Sequence, residues 1–423
     1  MTLSERDQQI LWHPYTQHKT ALPAIAIVRG EGASLWDENG REFIDAIASW
    51  WVNPFGHSNK IIADAIYKQL TTLEHVLFGG FTHEPAVVLG EKLLLHLPSN
   101  QKKIFFSDNG STAVEVAIKA SLQYHHNQGV KRTVLIAFED AFHGDTFGAM
   151  AVSGISLYTE AFADLFIKVI RIPVPVPGRE IESQKALKKA LTEHPVAAFI
   201  FEPLVLGAAG MVMYEPDALD TLITICKNDN VLTIADEVMT GFGKTGKFFA
   251  SHYLKELPDM MCLSKALTGG AIPLAVTTFT ENLYEAFFDD KMESAFFHGH
   301  TFTANPAGCA AAIASITLME QDQTWVNITR IAASHIAFSK KIAAHPKVLC
   351  TRTRGIIFAL EVVTCGPETY YGTLRNFLYQ QFIDNGVILR PVGNTIYILP
   401  PFIITDSQLQ KIYATIEQVL DRL

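Results

Sequence analysis

Residues 231–270 read VLTIADEVMTGFGKTGKFFASHYLKELPDMMCLSKALTGG and hold two short apolar runs. The first, 231–235, ends against Asp236. The second, 260–263, stops two residues before Lys265. Apolar runs of this length, bounded by turn residues, predict strands buried in a parallel sheet. In open α/β sheets, ligands sit outside the carboxyl ends of the strands. The pattern therefore predicts a carboxylate and an amine delivered to the same side of one sheet.

The rest of the chain agrees with an α/β architecture. Strand and helix signals alternate from residue 104 onward. Strands are expected at 104–107, 133–138, 196–201, 231–235, 260–263 and 274–279, with helices at 111–128, 184–194, 218–229 and 306–320. Upstream, 33–48 reads as two strands around the turn Glu38-Asn39-Gly40, and 61–73 and 85–96 as helices. Downstream, a helix at 324–344 leads to strands at 355–363, 387–390 and 395–399, with helices at 370–384 and 406–422. At 423 residues the chain exceeds one ordinary core. The expected division is a large domain at 56–320 and a smaller α+β domain from 321–423 joined by the segment 1–55.

Composition narrows the function. With 48% hydrophobic residues the chain can bury a large core, and its net charge of -9 argues against nucleic acid as its main partner. Cys226, Cys262, Cys309, Cys350 and Cys365 are scattered with no CxxC pair, which argues against a disulfide framework or structural zinc. The start, MTLSERDQQILWH, lacks the features of a secretion signal, so a cytoplasmic location is expected. The uncharged stretch 301–319 is rich in Ala, Ser and Thr and carries Asn305 and Pro306. It reads as a loop and a buried helix, since a membrane span is more uniformly apolar.

Five constellations carry chemistry. In FFSDNGSTAVEVAIK, a short strand turns through Asp108-Asn109-Gly110 into a helix opened by Ser111-Thr112, an arrangement suited to an anion. Phe142-His143-Gly144 follows the strand at 133–138 and offers an aromatic face. Asp236 ends a buried strand and needs a partner; Glu202, in IFEPLVLGAAG, faces the same choice between a ligand, a cap and an arginine. Lys265 follows an apolar strand, where burial lowers an amine's pKa. The fifth is the loop HGHTFTANP at 298–306. Each has an ordinary structural explanation on its own: a cap, core packing, a surface lysine, a tight connection. Together they supply what pyridoxal phosphate needs from a protein: a phosphate cradle, an acid for the ring nitrogen and a lysine able to form a Schiff base.

ADEVMTGFGKTGKFFA, LSKALTGG, HGHTFTANP and the step from Asp236 to Lys265 resemble the class III aminotransferases, a branch of the pyridoxal phosphate-dependent transferases of fold type I. The resemblance spans nearly the whole chain. LWHPYTQ, SWWVNPFGH, FHGDTFGAM and ILRPVGNTIYILPP resemble the members that serve biotin biosynthesis. Those members move an amino group to 8-amino-7-oxononanoate, with S-adenosyl-L-methionine as the common donor, by a ping-pong route.

The resemblance implies that Lys265 forms the Schiff base and shuttles the proton, and that Asp236 pairs with the pyridine nitrogen. It implies that Gly110 and Ser111 hold the phosphate, joined by Thr301 from the neighbouring subunit of a homodimer, and that Phe142 stacks on the ring. Tyr15, Trp50, Trp51 and Gly299 would line the substrate pocket, and Arg390 would receive the acceptor's carboxylate. Three positions depart from the family pattern. Phe142 replaces a tyrosine, Lys244 replaces an arginine and keeps its charge without the bidentate geometry, and His300 replaces a proline. Two other readings compete: an ω-amino acid or diamine aminotransferase using pyruvate or 2-oxoglutarate, and a non-catalytic binder of the cofactor.

Overall fold

The computed structural model describes residues 1–154, 159–364 and 372–423. Cys365 and the first two residues of the helix expected at 370–384 lie outside the described residues. A seven-stranded sheet forms the centre. Its strands, numbered within this sheet, are β1 Gln101–Ser107, β2 Val134–Phe138, β3 Val169–Ile172, β4 Val196–Phe201, β5 Leu232–Asp236, β6 Met260–Leu263 and β7 Ala275–Thr280. Their spatial order is β1-β7-β6-β5-β4-β2-β3. Neighbours from β6 to β3 run parallel, and β7 is antiparallel to both β6 and β1.

The apolar runs follow from burial on both faces. Successive residues of a strand point to opposite sides. Ile136, Phe138, Phe199, Phe201, Met261 and Leu263 enter one core, while the intervening Leu135, Ala137, Ala198, Ile200, Met260 and Cys262 enter the other. The second face carries smaller side chains because the helix Gly110–Asn127 lies close over it. Cys262 Sγ and Thr277 Oγ1 both reach Ala113 O, at 3.5 and 2.8 Å. Full burial of each large side chain is worth roughly 1.5–3 kcal/mol.

The uncharged stretch forms the buried helix Pro306–Met319. It packs against the helices Lys60–Leu70 and Glu84–His96 and against the turn after β6, where Ser315 Oγ donates to Ala266 O at 3.0 Å. Among the described residues no helix is long and apolar enough to cross a membrane. Cys226, Cys262, Cys309 and Cys350 are free thiols.

Two smaller sheets flank the large one. Ile27–Glu31, Ser34–Asp37 and Glu42–Asp45 form an antiparallel meander, and Glu42–Asp45 then pairs in parallel with Val387–Ile388 from the far end of the chain. Val348–Arg354, Ile357–Val362 and Thr395–Ile398 form a three-stranded antiparallel sheet. Val348–Arg354 carries no apolar run. It is an edge strand whose Arg352 pairs with Glu361 on its neighbour, so its charges are satisfied sideways.

Candidate functional site

β5 and β6 are parallel neighbours with Asp236 opposite Cys262. Their carboxyl ends open into a cavity of about 540 Å³, within the range of small-molecule sites. Tyr15, Trp50, Trp51, Phe142, Asp236 and Lys265 line it, as do Gly110, Ser111 and Arg390. The expected carboxylate and amine therefore share one cleft.

Asp236 is 4% exposed. Its Oδ1 accepts from Val238 N at 3.1 Å, and its Oδ2 lies 2.7 Å from His143 Nδ1. His143 is buried as well, and nothing local in the sequence distinguishes it from a packed histidine. Lys265 follows Ser264, whose Oγ donates to Leu274 O at 2.9 Å and pins the turn. Lys265 has φ +49°, a left-handed conformation that costs a non-glycine residue roughly 1–3 kcal/mol. Its Nζ stands 4.6 Å from the centroid of Trp51. Burial lowers its pKa, with Asp236 and then Glu202 pulling the other way.

Among the described residues Glu202 has no arginine partner. Its Oε1 and Oε2 accept from the backbone N–H groups of Phe142 and Gly207 at 3.0 and 2.9 Å. Burial raises its pKa to about 7, and the nearby Asp236 carboxylate adds to the rise.

The turn after β1 differs from expectation in its cap. Asn109 is the N-cap residue, with its side chain accepting from Thr112 N at 3.1 Å, so Ser111 is released from capping. Ser111 Oγ instead accepts from Asp145 N at 3.2 Å. Ala113 N is taken by Asn109 O, which leaves the first-turn N–H groups of Gly110 and Ser111 for an anion. Gly144 makes the approach possible: at φ +130°, a Cβ there would lie 2.1 Å from Ser111 Oγ.

The outer wall is aromatic and cationic. Arg390 Cζ lies 4.4 Å from the Trp50 ring centroid, and Tyr15 meets Trp50 edge-on at 5.8 Å. Tyr15 OH donates to Asp145 Oδ2, a contact that spacing alone did not reveal. Gly299 and Thr301 lie outside this cavity, exposed on their loop. Between them, His300 Nδ1 pairs with Asp108 at 3.2 Å.

Lys244 corrects one expectation. It is 2% exposed and donates to Gly241 O at 3.2 Å. Burial, reinforced by the Lys265 amine, pulls it from 10.5 to about 7, with Glu237 resisting. The arginine's charge is thus only half retained near neutrality. Because the unfolded chain holds this proton up to its ordinary value, stability rises with pH between roughly 7 and 10.5 on this account. Lys244→Met is expected to raise the unfolding free energy at pH 7 by roughly 2–4 kcal/mol and flatten that rise. Denaturant titrations at pH 6 to 10 check this; an unchanged slope would show that Lys244 is not the group responsible.

Residues 15–420 match the family model described as Aminotransferase class-III. The chain is 44% identical over 421 residues to the adenosylmethionine-8-amino-7-oxononanoate aminotransferase of Synechococcus elongatus, covering 98% of this chain and 99% of the relative. The crystal structure of the enzyme of that name from Methanocaldococcus jannaschii is similar at a TM-score of 0.95 and 34% identity, over 99% of this chain and 98% of that one. An ω-transaminase from Pseudomonas jessenii in complex with PMP is similar at a TM-score of 0.92 and 28% identity, over 100% and 98% of the two chains. On the match of the family model and these full-length likenesses, the chain belongs to the class III aminotransferases.

Proposed function

We propose that this protein is the aminotransferase of biotin biosynthesis, moving an amino group from S-adenosyl-L-methionine to 8-amino-7-oxononanoate by a ping-pong route with pyridoxal phosphate. The observation that carries the reading is the pair of stacks in one cavity: Lys265 against Trp51 and Arg390 against Trp50. The acceptor is a long apolar chain ending in a carboxylate. It requires aromatic walls and a fixed guanidinium, and both are present. The names of the full-length relatives support the same substrates.

The donor set fits pyridoxal phosphate. Gly110 and Ser111 present N–H groups at a helix N-terminus with Gly144 clearing the approach. Asp236 offers a buried carboxylate to a pyridine N–H, and Lys265 offers an amine lowered by burial. When bound, the cofactor supplies an aldehyde carbon for reversible C=N exchange and a ring that accepts an electron pair.

The chain's own residues then have distinct tasks. Asp236 keeps the ring nitrogen protonated, and His143 Nδ1 holds the Asp236 carboxylate in line. Lys265 Nζ takes the proton from the donor's amine-bearing carbon and returns a proton in the second half-reaction. Phe142 covers a ring face, Tyr15 and the two tryptophans seat the acceptor chain, and Arg390 fixes its carboxylate. Gly299 and Thr301, exposed on one chain, serve the partner's site in a cytoplasmic homodimer. Residues 56–320 constitute the large domain, and 1–55 joins 321–423 in the smaller one; the strand pairing of Glu42–Asp45 with Val387–Ile388 supports that division.

The purified protein is expected to aminate 8-amino-7-oxononanoate. In single turnovers, S-adenosyl-L-methionine, and not lysine, should bleach the bound cofactor's absorbance. Robust turnover of 4-aminobutyrate or ornithine with no amination of 8-amino-7-oxononanoate would defeat the assignment.

A further inference from the structure

Trp50 and Trp51 ride on an unusual backbone. Three of the four residues from 48 to 51 have positive φ: Ala48 at +47°, Ser49 at +62° and Trp51 at +67°. None is glycine. Such conformations persist only where the surroundings over-determine them.

Asp45 provides much of that determination. It is fully buried. Its Oδ1 accepts from Ile47 N at 3.2 Å, and its Oδ2 accepts from Ser49 N at 2.7 Å. A buried carboxylate also needs its oxygens satisfied by donors. His57 Nε2 lies 2.9 Å from Oδ2. On its other side, His57 Nδ1 faces Asn53 Nδ2 at 3.1 Å. A carboxylate only accepts, so Nε2 carries a hydrogen toward Asp45. The loop closes on itself, because Asn53 N donates to Ala48 O at 3.2 Å.

Both ends of this corner are anchored. His57 and Gly32 exchange backbone hydrogen bonds at 2.7 and 3.2 Å. Ala46 N donates to Ile388 O at 3.2 Å, and Leu399 N donates to Ala46 O at 2.9 Å. The corner is thus docked on the strand that leads to Arg390.

We infer that Asp45 and His57 are positioning residues for the substrate wall. The chain Asp45–His57–Asn53 holds the left-handed corner that aims Trp50 at Arg390 and Trp51 at Lys265. The inference rests on the reading of Trp50, Trp51 and Arg390 as the acceptor's seat, but its effect on the tryptophans does not depend on which substrate binds.

The test compares His57→Leu, His57→Gln and Asn53→Leu as holoenzymes. His57→Leu removes the imidazole donor and leaves the carboxylate only backbone N–H groups and Ser49, whereas the amide of His57→Gln can still donate to Asp45. In His57→Leu, KM for 8-amino-7-oxononanoate is expected to rise about tenfold or more, with a smaller change in kcat. The indole circular dichroism that Trp50→Phe and Trp51→Phe remove should be lost with it. His57→Gln should restore both. Asn53→Leu, which keeps the Asp45–His57 pair, should give an intermediate rise in KM, and it carries the test if His57→Leu does not fold. An indole signal unchanged in His57→Leu, or a lower unfolding midpoint with KM unmoved in all three variants, would overturn the inference. If the wild type fails to aminate this acceptor, the functional reading falls on its own, and the indole signal still decides the positioning role.

Discussion

Lys265→Ala is expected to lower turnover by about 10⁴-fold or more and to leave the cofactor bound without a covalent link. Two proposed contributions vanish together: the nucleophile that would hold the cofactor, and the base that would carry the proton in each half-reaction. The fold should survive. A partly buried amine is removed from beside Trp51, and alanine meets the same left-handed backbone at φ +49°, so no strain is relieved or added. Borohydride reduction followed by peptide mass analysis checks the assignment. The wild type should gain the cofactor's mass on the peptide containing Lys265, and the variant on none. A wild-type adduct on a different lysine, or turnover retained in the variant, would refute it.

Asp236→Asn is expected to cost about 10³-fold in turnover while the cofactor remains attached to Lys265. The asparagine oxygen can accept from His143 Nδ1, which lies 2.7 Å from the present carboxylate. The NH₂ would then take the place of Oδ1, losing the bond from Val238 N and presenting a donor to the ring nitrogen. A donor there favours an unprotonated pyridine, which accepts electrons poorly. A second effect has a definite sign. The Asp236 charge raises the Lys265 pKa against the lowering by burial, so removing it makes the amine neutral at lower pH. The pH dependence of cofactor capture by the apo variant should move toward acid. Turnover within a few fold of the wild type would show that Asp236 does not face the ring.

The central sheet was legible because burial on both faces writes uninterrupted apolar runs into β2, β4, β5 and β6. The placement of Asp236 and Lys265 in one cleft was legible because Asp236 follows directly on such a run and Lys265 follows another after one residue. Other features were written more faintly. Val348–Arg354 satisfies its charges across an edge and shows no apolar signal. The helix Leu3–Ile10 buries no side chain, so periodicity missed it, although its capping box of Thr2 and Glu5 was available in the sequence. Asn109 is the cap because an asparagine one residue before the helix reaches the Thr112 N–H. His143 depends on Asp236, 93 residues away, and no local spacing announces it, whereas Asp45 finds its partners within a corner whose backbone the sequence does not disclose. Trp50 and Trp51 drew attention as side chains, but nothing in SWWVNPFGH discloses three left-handed residues that are not glycine.

The pairing of Glu42–Asp45 with Val387–Ile388 has a consequence for how the protein comes into being. Residues 110–265, which supply the proposed cofactor cradle, acid and lysine, leave the ribosome well before residue 388. Trp50 and Trp51 leave earlier still, but the strand against which their corner docks is made after all of these. The wall of the cavity is therefore a long-range closure, the slowest kind of contact to form. During synthesis the nascent chain passes through a stage in which the cofactor groups are assembled while the tryptophans remain exposed, a form with reason to meet a chaperone. The proposed seat for the acceptor is completed only when these two distant strands meet.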